Sequence, residues 1–319
     1  MNVLEKPQCQ TTPGAAAHAI SDGGSLLQLD AEQFRGDFGR RPFLIRHRLQ
    51  EQALFALPRI VELSQKLPEP FVEYNAGKVP VSLAPHRTPR NGLSIEETIR
   101  RIEDCGSWIG LRYVDLDKDY CDLMDRCIDE IEQVLGPLSP GIWGRAGFLF
   151  ISSPSSVTPF HVDPEYNFLL QVRGHKTVHL FDCADRAIVS EEDLEGLAAG
   201  KHRNLAFKDE YQAKAYTFHL KAGDGLHFPY TWPHWVENGA EVSISYSITF
   251  QTRRQERRNA LYNINHQLRK RGLRPRPVGR SRLRDAALLG AYMSLRSLKR
   301  FCRGRFTNPL PRYRQESHA

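Results

Sequence analysis

The feature that most constrains this chain is a pair of ligand-type side chains placed among short β-strands. His161 and Asp163 are separated by one residue, and His234 follows far downstream in an aromatic-rich segment. Residues two apart on a strand point to the same side, so His161 and Asp163 can both face the inside of a β-barrel. Two imidazoles and one carboxylate can occupy one face of an octahedral Fe(II) and leave three adjacent positions open. We therefore predict that this triad binds iron.

Strand-like segments surround the triad. Residues 168–172 and 177–181 are two apolar-rich runs, and Val242–Ile248 alternates apolar and polar side chains. Lys176 directly precedes the second run and shares a strand face with Val178 and Leu180. The histidines on β-rich segments outside the triad are interpreted as structural or surface residues; they are His175, His179, His219 and His227.

The stretch from residue 158 to residue 182 resembles the JmjC and cupin-like oxygenases that use Fe(II) and 2-oxoglutarate. It is most similar to the asparaginyl hydroxylase that modifies hypoxia-inducible factor and to its bacterial relatives. The matching residues are Thr158, Pro159, His161, Asp163, Asn167, Phe168, Gln171, Gly174 and Lys176. A second match is formed by Gly223, Asp224, Gly225, Leu226, Pro229, Trp232, His234 and Val236. The resemblance extends over residues 25–255 and is specific through the combination of its motifs.

The resemblance implies a role for each matching position. The triad would be catalytic and would hold the metal. Lys176 would pair with the distal carboxylate of 2-oxoglutarate, helped by the hydroxyl of Thr158, and Asn167 would line the site near this cosubstrate. Arg173, three residues before Lys176, is the rival anchor for the carboxylate. Because the Gly174 turn lies between them, the alternation of side chains along a strand does not decide which of the two faces the site.

Two departures from the resembled hydroxylase concern the substrate. Ser247 stands where that family has an asparagine on the strand after the distal histidine, and Pro233 replaces an aromatic residue. The identity of the substrate is therefore not carried over from the resemblance.

The implied fold is mainly β with flanking helices: a double-stranded β-helix (jelly-roll, cupin) core with N-terminal helices and a helical C-terminal extension. We predict a disordered N-terminus over residues 1–24 and a JmjC/cupin-like oxygenase domain over residues 25–252, with its β-core at about 147–250. Residues 253–319 form a basic helical extension, and residues 182–215 form an insertion between core strands. Asp30 is expected to cap a short helix, and Ser94 with Glu97 forms a capping-box pattern at the start of a helix predicted from Ser94 to Cys105.

Composition agrees with an intracellular enzyme, and we expect a cytoplasmic location. The chain of 319 residues has six cysteines with no CxxC spacing, which favours reduced thiols over a zinc or disulfide framework. Its N-terminus lacks an apolar core flanked by positive charge, and no apolar run reaches the ~18 residues of a spanning helix.

Charge is distributed unevenly along the chain. Residues 253–319 contain 19 Lys and Arg against three acidic residues, a net charge of +16, and the remainder carries −9. A solvated helical tail explains this, and so does an anionic partner such as nucleic acid, a membrane surface or the protein's own body. The first tail helix is expected to pack on the barrel. The second is assigned to homodimerisation, as in the resembled hydroxylase, or to membrane contact.

The predicted function is an Fe(II)- and 2-oxoglutarate-dependent dioxygenase. It would hydroxylate a C–H bond in a protein or peptide side chain or in a small molecule, and the sequence does not separate these substrates. The alternative is a non-catalytic cupin-fold metal-binding or regulatory module. Lys176 argues against that alternative, because a pure binding module needs neither an open iron face nor an anchor for an anion.

Overall fold

The computed structural model of the protein describes residues 24–83, 89–139 and 141–303. The predicted disordered segment, residues 1–24, lies outside this range apart from its last residue. So do the last 16 residues of the predicted basic extension, residues 304–319.

Two antiparallel sheets form the centre of the described structure. The strands are β1 Leu27–Gln28, β2 Phe43–His47, β3 Val72–Ala76, β4 Ser107–Arg112, β5 Ile142–Ser152, β6 Val157–His161, β7 Tyr166–Arg173, β8 His175–Leu180, β9 Tyr216–Lys221, β10 Asp224–Phe228, β11 His234–Asn238 and β12 Ser243–Thr252. The larger sheet has the order β1-β2-β10-β7-β12-β5-β4-β3, and the smaller sheet has the order β6-β11-β8-β9. This is the predicted mainly β, jelly-roll architecture with flanking helices.

Side-chain alternation along β12 shows how the larger sheet separates two environments. Tyr246 and Ile248 belong to an apolar core shared with the helices, whereas Ser245 and Ser247 hydrogen-bond to β7 on the opposite face. Residues two apart on a strand share a face, so one face of the sheet is apolar and the other is partly polar. The polar face lies toward the smaller sheet, and a second apolar cluster fills that space; its members are Leu169, Val178, Leu180, Leu220, Leu226, Phe228, Trp232 and Val236.

The larger sheet extends beyond the stretch at 147–250 that was predicted for the β-core. Four strands upstream of it join the sheet: β2 pairs with β10, β1 with β2, β4 with β5 and β3 with β4. Each of the outer strands satisfies backbone N–H and C=O groups that the core strands would otherwise expose at an edge. Sequence pattern alone does not indicate which distant strand supplies that pairing.

Seven α-helices flank the sheets in the described chain. They are α1 Ala31–Asp37, α2 Leu57–Lys66, α3 Ile95–Arg100, α4 Lys118–Leu135, α5 Glu191–Ala198, α6 Arg253–Lys270 and α7 Arg282–Arg303. Asp30 caps α1, and Ser94 and Glu97 form the predicted capping box of α3. The helix predicted to continue from Ser94 to Cys105 is shorter, because the backbone leaves the helical path after Arg100 and turns toward Gly106, whose φ is +60°.

The first helix of the C-terminal extension packs against the body, as predicted. Gln255 of α6 donates to the carbonyl of Pro164, and Asn259 accepts from the hydroxyl of Tyr230, so α6 contacts two loops of the barrel. Arg269 forms a two-bond ion pair with Glu195 of α5 at 2.6 and 3.3 Å, and the Glu195 side chain is only 1% exposed. The insertion and the extension are thus joined to each other.

The second C-terminal helix is less covered. Leu283 is 87% exposed and Met293 is 59% exposed on α7. The expectation that this helix mediates dimerisation or meets an anionic surface stays a prediction.

Neither disulfides nor bilayer-spanning helices are found among the described residues. Cys105, Cys121, Cys127 and Cys183 are free thiols in the described structure. Every helix described here is too short or too polar to cross a bilayer.

The Arg269–Glu195 pair yields a stability prediction. Arg269→Met should lower the free energy of unfolding by about 3 kcal/mol at neutral pH, because the Glu195 carboxylate would remain buried without its cation. A second change, Glu195→Leu, should restore most of the loss. Arg271→Met is the control, because Arg271 is exposed and its side chain bonds only to the Gln267 carbonyl. Urea unfolding of the four proteins would test this, and equal effects of Arg269→Met and Arg271→Met would contradict it.

Candidate active site

The structure brings the three predicted ligand residues together at the end of the smaller sheet. His161 is the last residue of β6 and His234 is the first residue of β11, and the two are directly paired in register. Asp163 lies in the loop after β6, so the expectation that it sits on the strand is wrong. The strand ends at His161 because its partner β11 begins at His234 and offers nothing further to pair with.

One potential ligand atom from each residue lies within 4.8 Å of the others. The distances are 3.8 Å from His161 Nε2 to Asp163 Oδ1 and 3.6 Å from His234 Nε2 to Asp163 Oδ2. The two imidazole rings have centroids 4.1 Å apart. Two imidazole nitrogens and one carboxylate therefore converge on a common point, which is the donor set of a facial-triad metal site.

Both histidines have the tautomer that a metal requires. His161 Nδ1 donates to the carbonyl of Pro159 at 2.7 Å, and His234 Nδ1 donates to the carbonyl of Trp232 at 3.0 Å. A carbonyl oxygen only accepts, so the proton must be on Nδ1 and the lone pair of Nε2 remains available. In each case the acceptor lies two residues earlier in the chain, so the local backbone fixes the ring orientation.

The electrostatics of the triad favour a neutral imidazole pair beside an ionised carboxylate. Burial, assisted by the charge of His234, lowers the pKa of His161 to about 3, and burial also lowers the pKa of His234. Burial alone would raise the pKa of Asp163, but the charges of His161, Arg203 and His234 outweigh it and hold that pKa at about 2. These are the protonation states in which the three side chains can bind a cation.

A register shift in β6 gives the site a further polar group. Thr158 pairs with Val236 and His161 pairs with His234. Three residue-to-residue steps along β6 therefore correspond to two steps along β11. Residues three apart on a regular strand face opposite sides, and the extra residue of the bulge brings Thr158 and His161 to the same face. The Thr158 hydroxyl therefore lies on the face of the smaller sheet that carries the triad histidines.

At the other end of β11, Lys176 and Asn238 form a pair on the same inner face. Lys176 is 6% exposed, and among the described residues its amine has no hydrogen-bond or ion-pair partner. Burial lowers its pKa to about 7. Asn238 donates through Nδ2 to the carbonyl of Ser156 at 3.0 Å, while its Oδ1 is buried without a partner. Arg173, the rival anchor, is exposed.

The larger sheet faces these residues with a row of hydrogen-bonded side chains. Ser247 donates to Asn167 Oδ1 at 2.7 Å, so Asn167 is held on the inner face. Ser245 donates to Gln171 Oε1 at 2.6 Å, and Gln171 Nε2 donates to Ser243 at 3.0 Å. The two serines on either side of Tyr246 thus keep the amides of β7 in fixed orientations.

Two ionisable residues beside the triad were not predicted from the sequence. Arg203 of the insertion donates to Asp163 Oδ1 at 3.0 Å. Glu165 lies nearby, and burial with the charge of Asp163 raises its pKa to about 8. Glu165 could have been suspected because it continues the two-residue spacing of His161 and Asp163, but no local signal places Arg203, since its segment returns from a distant insertion.

A two-layered β structure with a His–Asp–His cluster defines a cupin-type protein with a candidate metal centre. A family model described as a Cupin-like domain matches residues 94–256, which is just over half of the chain. The chain therefore belongs to this Cupin-like family, which confirms the cupin-like family that the sequence motifs predicted.

Two animal proteins are similar over part of the chain. The Jumonji C domain-containing protein 5 of Drosophila melanogaster is 31% identical over 140 residues, which are 42% of this chain and 32% of that protein. The HSPB1-associated protein 1 homolog of Danio rerio is 31% identical over 115 residues, which are 33% of this chain and 26% of that protein. The chain thus spans about a third or less of the length of these relatives.

Solved structures of YcfD, a ribosomal oxygenase of Escherichia coli, are similar at lower identity. One is 15% identical with a TM-score of 0.47 and covers 85% of this chain and 68% of that chain. Another, in complex with cobalt and 2-oxoglutarate, is 16% identical with a TM-score of 0.47 and covers 85% of this chain and 67% of that chain. The bound cobalt and 2-oxoglutarate belong to the E. coli protein.

The buried amine of Lys176 yields a second stability prediction. Its pKa falls from 10.5 to about 7, so the charged form is disfavoured in the folded protein and destabilises it fully below pH 7. Lys176→Met should therefore stabilise the ligand-free protein by on the order of 3 kcal/mol at pH 7. The gain should shrink as the pH rises toward 10.5. Arg173→Met, which changes an exposed neighbour, should have little effect. Denaturant unfolding at pH 7 and pH 10 would measure both, and a loss of stability in Lys176→Met would contradict the reasoning.

Proposed function

We propose that this protein is an Fe(II)- and 2-oxoglutarate-dependent dioxygenase that hydroxylates a C–H bond. The observation that carries the proposal is the combination of two features on one β-strand. His234 at the start of β11 points its free Nε2 at Asp163 beside His161. Asn238 at the end of β11 lies next to Lys176, which is buried and has no ion-pair partner in the described part of the chain. A site for a divalent metal and a site for a carboxylate are thus held at a fixed separation.

His161, Asp163 and His234 would hold the metal. Their donor set, two nitrogens and one carboxylate oxygen, suits Fe(II) and leaves coordination positions open. The two Nδ1–carbonyl hydrogen bonds keep both rings from rotating away when the metal is absent. When bound, Fe(II) and 2-oxoglutarate supply the oxidising chemistry, and the chain supplies ligands, orientation and a shielded pocket.

Lys176 would bind the distal carboxylate of 2-oxoglutarate. An amine buried without a partner is unfavourable in the free protein, and an incoming carboxylate removes that disadvantage by forming a charge-assisted hydrogen bond. Asn238 and Thr158 share the inner face of the smaller sheet with Lys176 and offer further polar contacts. Asn167, fixed by Ser247, would line the opposite side of the same space.

The substrate would enter over the part of the larger sheet formed by β4 and β5, on its inner face. Trp108 and Phe150 stack with ring centroids 5.9 Å apart, Phe148 stacks on Phe150, and all three are partly exposed. Phe148 pairs in register with Ser247, so this aromatic row adjoins the Asn167 side of the site. Partly exposed aromatic side chains next to a catalytic pocket support a role in holding a protein, peptide or small-molecule substrate.

The metal assignment is tested by single substitutions. His161→Ala and Asp163→Ala should each abolish binding of Fe(II) under anaerobic conditions without loss of the fold, because each change removes a ligand and not a core side chain. His219→Ala is the control, since His219 is an exposed histidine on β9. Metal analysis and circular dichroism would report occupancy and folding. Full iron occupancy in Asp163→Ala would overturn the assignment.

The reaction class is tested by turnover. The wild-type protein loaded with Fe(II) should release succinate from 2-oxoglutarate in the presence of oxygen, and more rapidly when a suitable substrate is added. A protein that binds both ligands but releases no succinate with any candidate substrate would support the alternative of a non-catalytic cupin-fold module.

The Lys176 assignment predicts a specific pH dependence. With a pKa of about 7 in the free protein, Lys176 is already charged below pH 7, so the affinity for 2-oxoglutarate should be constant there. Above pH 7, binding requires uptake of a proton, and the dissociation constant should rise by up to about tenfold per pH unit. Arg stays protonated throughout this range, so Lys176→Arg should show a flat profile.

Calorimetric titration of the metal-loaded protein with 2-oxoglutarate at pH 6.5, 7.5 and 8.5 would measure this profile. Buffers with different ionisation enthalpies would show the proton uptake directly. An affinity for wild type that is the same at all three pH values, with no proton uptake, would show that Lys176 is not the anchor.

A further inference from the structure

Arg203 is the one cation whose side chain is described in hydrogen-bond contact with the Asp163 carboxylate. Its Nη1 donates to Asp163 Oδ1 at 3.0 Å, and the Arg203 side chain is 35% exposed. The other carboxylate oxygen, Oδ2, lies 3.6 Å from His234 Nε2. The two oxygens of Asp163 are therefore in different environments. Oδ1 is bonded to the guanidinium and lies 3.8 Å from His161 Nε2, whereas Oδ2 contacts His234 Nε2.

The backbone around Arg203 holds it in this place. Val162 N–H donates to the Arg203 carbonyl at 3.0 Å, and Leu205 N–H donates to the Phe160 carbonyl at 3.0 Å. Asn204, opposite His161, donates through Nδ2 to the carbonyl of Leu83. The end of the insertion is thus paired to β6 like an additional edge strand, and the guanidinium does not depend on a mobile loop for its position.

The far side of the insertion is anchored as well. Its helix α5 is bound to α6 through the Glu195–Arg269 ion pair. The same α6 reaches the carbonyl of Pro164, the residue that follows Asp163. Arg203 and the loop of Asp163 are consequently fixed from both sides by one packed unit.

We propose that Arg203 is a positioning residue that restricts Asp163 to one metal-binding oxygen, which rests on the metal site proposed above. A carboxylate can bind a metal through one oxygen or through both. If Asp163 used both, the triad would occupy four of six octahedral positions and leave two. With Oδ1 engaged by the guanidinium, the triad occupies three and leaves three, which is what a two-atom chelating cosubstrate plus dioxygen requires.

The positive charge of Arg203 should also lower the affinity of the site for a metal ion. A guanidinium beside a divalent cation repels it, so Arg203 does not strengthen metal binding by charge. Its removal should free both carboxylate oxygens and remove that repulsion. A residue that only stabilised the fold would behave differently, because its loss would weaken the binding of the metal and of the cosubstrate together.

The experiment compares Arg203→Met, Arg203→Lys and Arg186→Met with the wild-type protein, using Mn(II) and then 2-oxoglutarate under anaerobic conditions. In Arg203→Met the affinity for Mn(II) alone should stay equal to wild type or increase, whereas the affinity of the Mn(II)-loaded protein for 2-oxoglutarate should fall about tenfold. Arg203→Lys should recover part of this loss, because lysine keeps the charge and one donor. Arg186, on the same insertion but bonded to Glu191 and the Cys183 carbonyl, is the matched control.

The absorption bands of bound Co(II), which report coordination number, provide an independent measurement. They should differ between wild type and Arg203→Met without 2-oxoglutarate and match wild type in Arg186→Met. Wild-type affinity for 2-oxoglutarate in Arg203→Met, a parallel loss of Mn(II) affinity, or an Arg203→Lys protein as impaired as Arg203→Met would each overturn the inference. Absence of metal binding in the wild-type protein would instead refute the proposed function.

Discussion

The register of β11 against its two neighbours sets the dimensions of the whole site. On one side His234 is paired with His161, and on the other side Asn238 is paired with Lys176. The two ends are four residues apart, which is about 13 Å along a strand. The long side chain of Lys176 shortens that gap from one end, and Asp163 and the imidazoles shorten it from the other. A slip of one residue would turn both ends out of the barrel together, so the proposed metal site and the proposed carboxylate site depend on the same hydrogen bonds.

Burial also controls the ionisation of the site, and its consequence differs between the triad at one end of β11 and Lys176 at the other. At the triad end, burial keeps the imidazoles neutral although the charge of Asp163 raises their pKa values, and interactions with His161, Arg203 and His234 keep Asp163 ionised. This is the state that accepts a cation. At the Lys176 end, burial lowers the pKa of the amine, and no acidic partner offsets this effect among the described residues. The buried amine would gain its missing counter-charge if an external carboxylate bound there, as proposed above. Residues that reduce the stability of the free fold in this way are typical of binding sites.

The sequence predicted the jelly-roll class and indicated which residues lie close together in the candidate site, but it did not predict how the outer strands pair. His161, Asp163 and His234 were identifiable from residue type and spacing, and the roles assigned to Thr158, Asn167 and Lys176 followed from the family resemblance. Strand alternation correctly grouped Lys176 with Val178 and Leu180. These signals are local, since each depends on residues close together in the chain or on a compact motif.

The features that the sequence did not predict all depend on pairing between distant segments. Arg203 reaches Asp163 only because its segment returns to the edge of β6, and the bulge that turns Thr158 inward exists only in the pairing of β6 with β11. The pairing of the four upstream strands, β1, β2, β3 and β4, with the larger sheet also joins segments that are distant in the chain. Loop closure over such distances leaves no periodic pattern in the sequence, so these contacts became visible only in the folded structure.

The position of β12 has a consequence for how the protein is made. This strand is the last of the twelve strands in the part of the chain that the structure describes, yet it lies in the middle of the larger sheet between β5 and β7. A nascent chain that has not yet released residues 243–252 therefore has two facing strand edges and an unfilled gap at its centre. Exposed edges of this type invite pairing with other chains. Synthesis of the barrel must therefore be nearly complete before the larger sheet can close between β5 and β7.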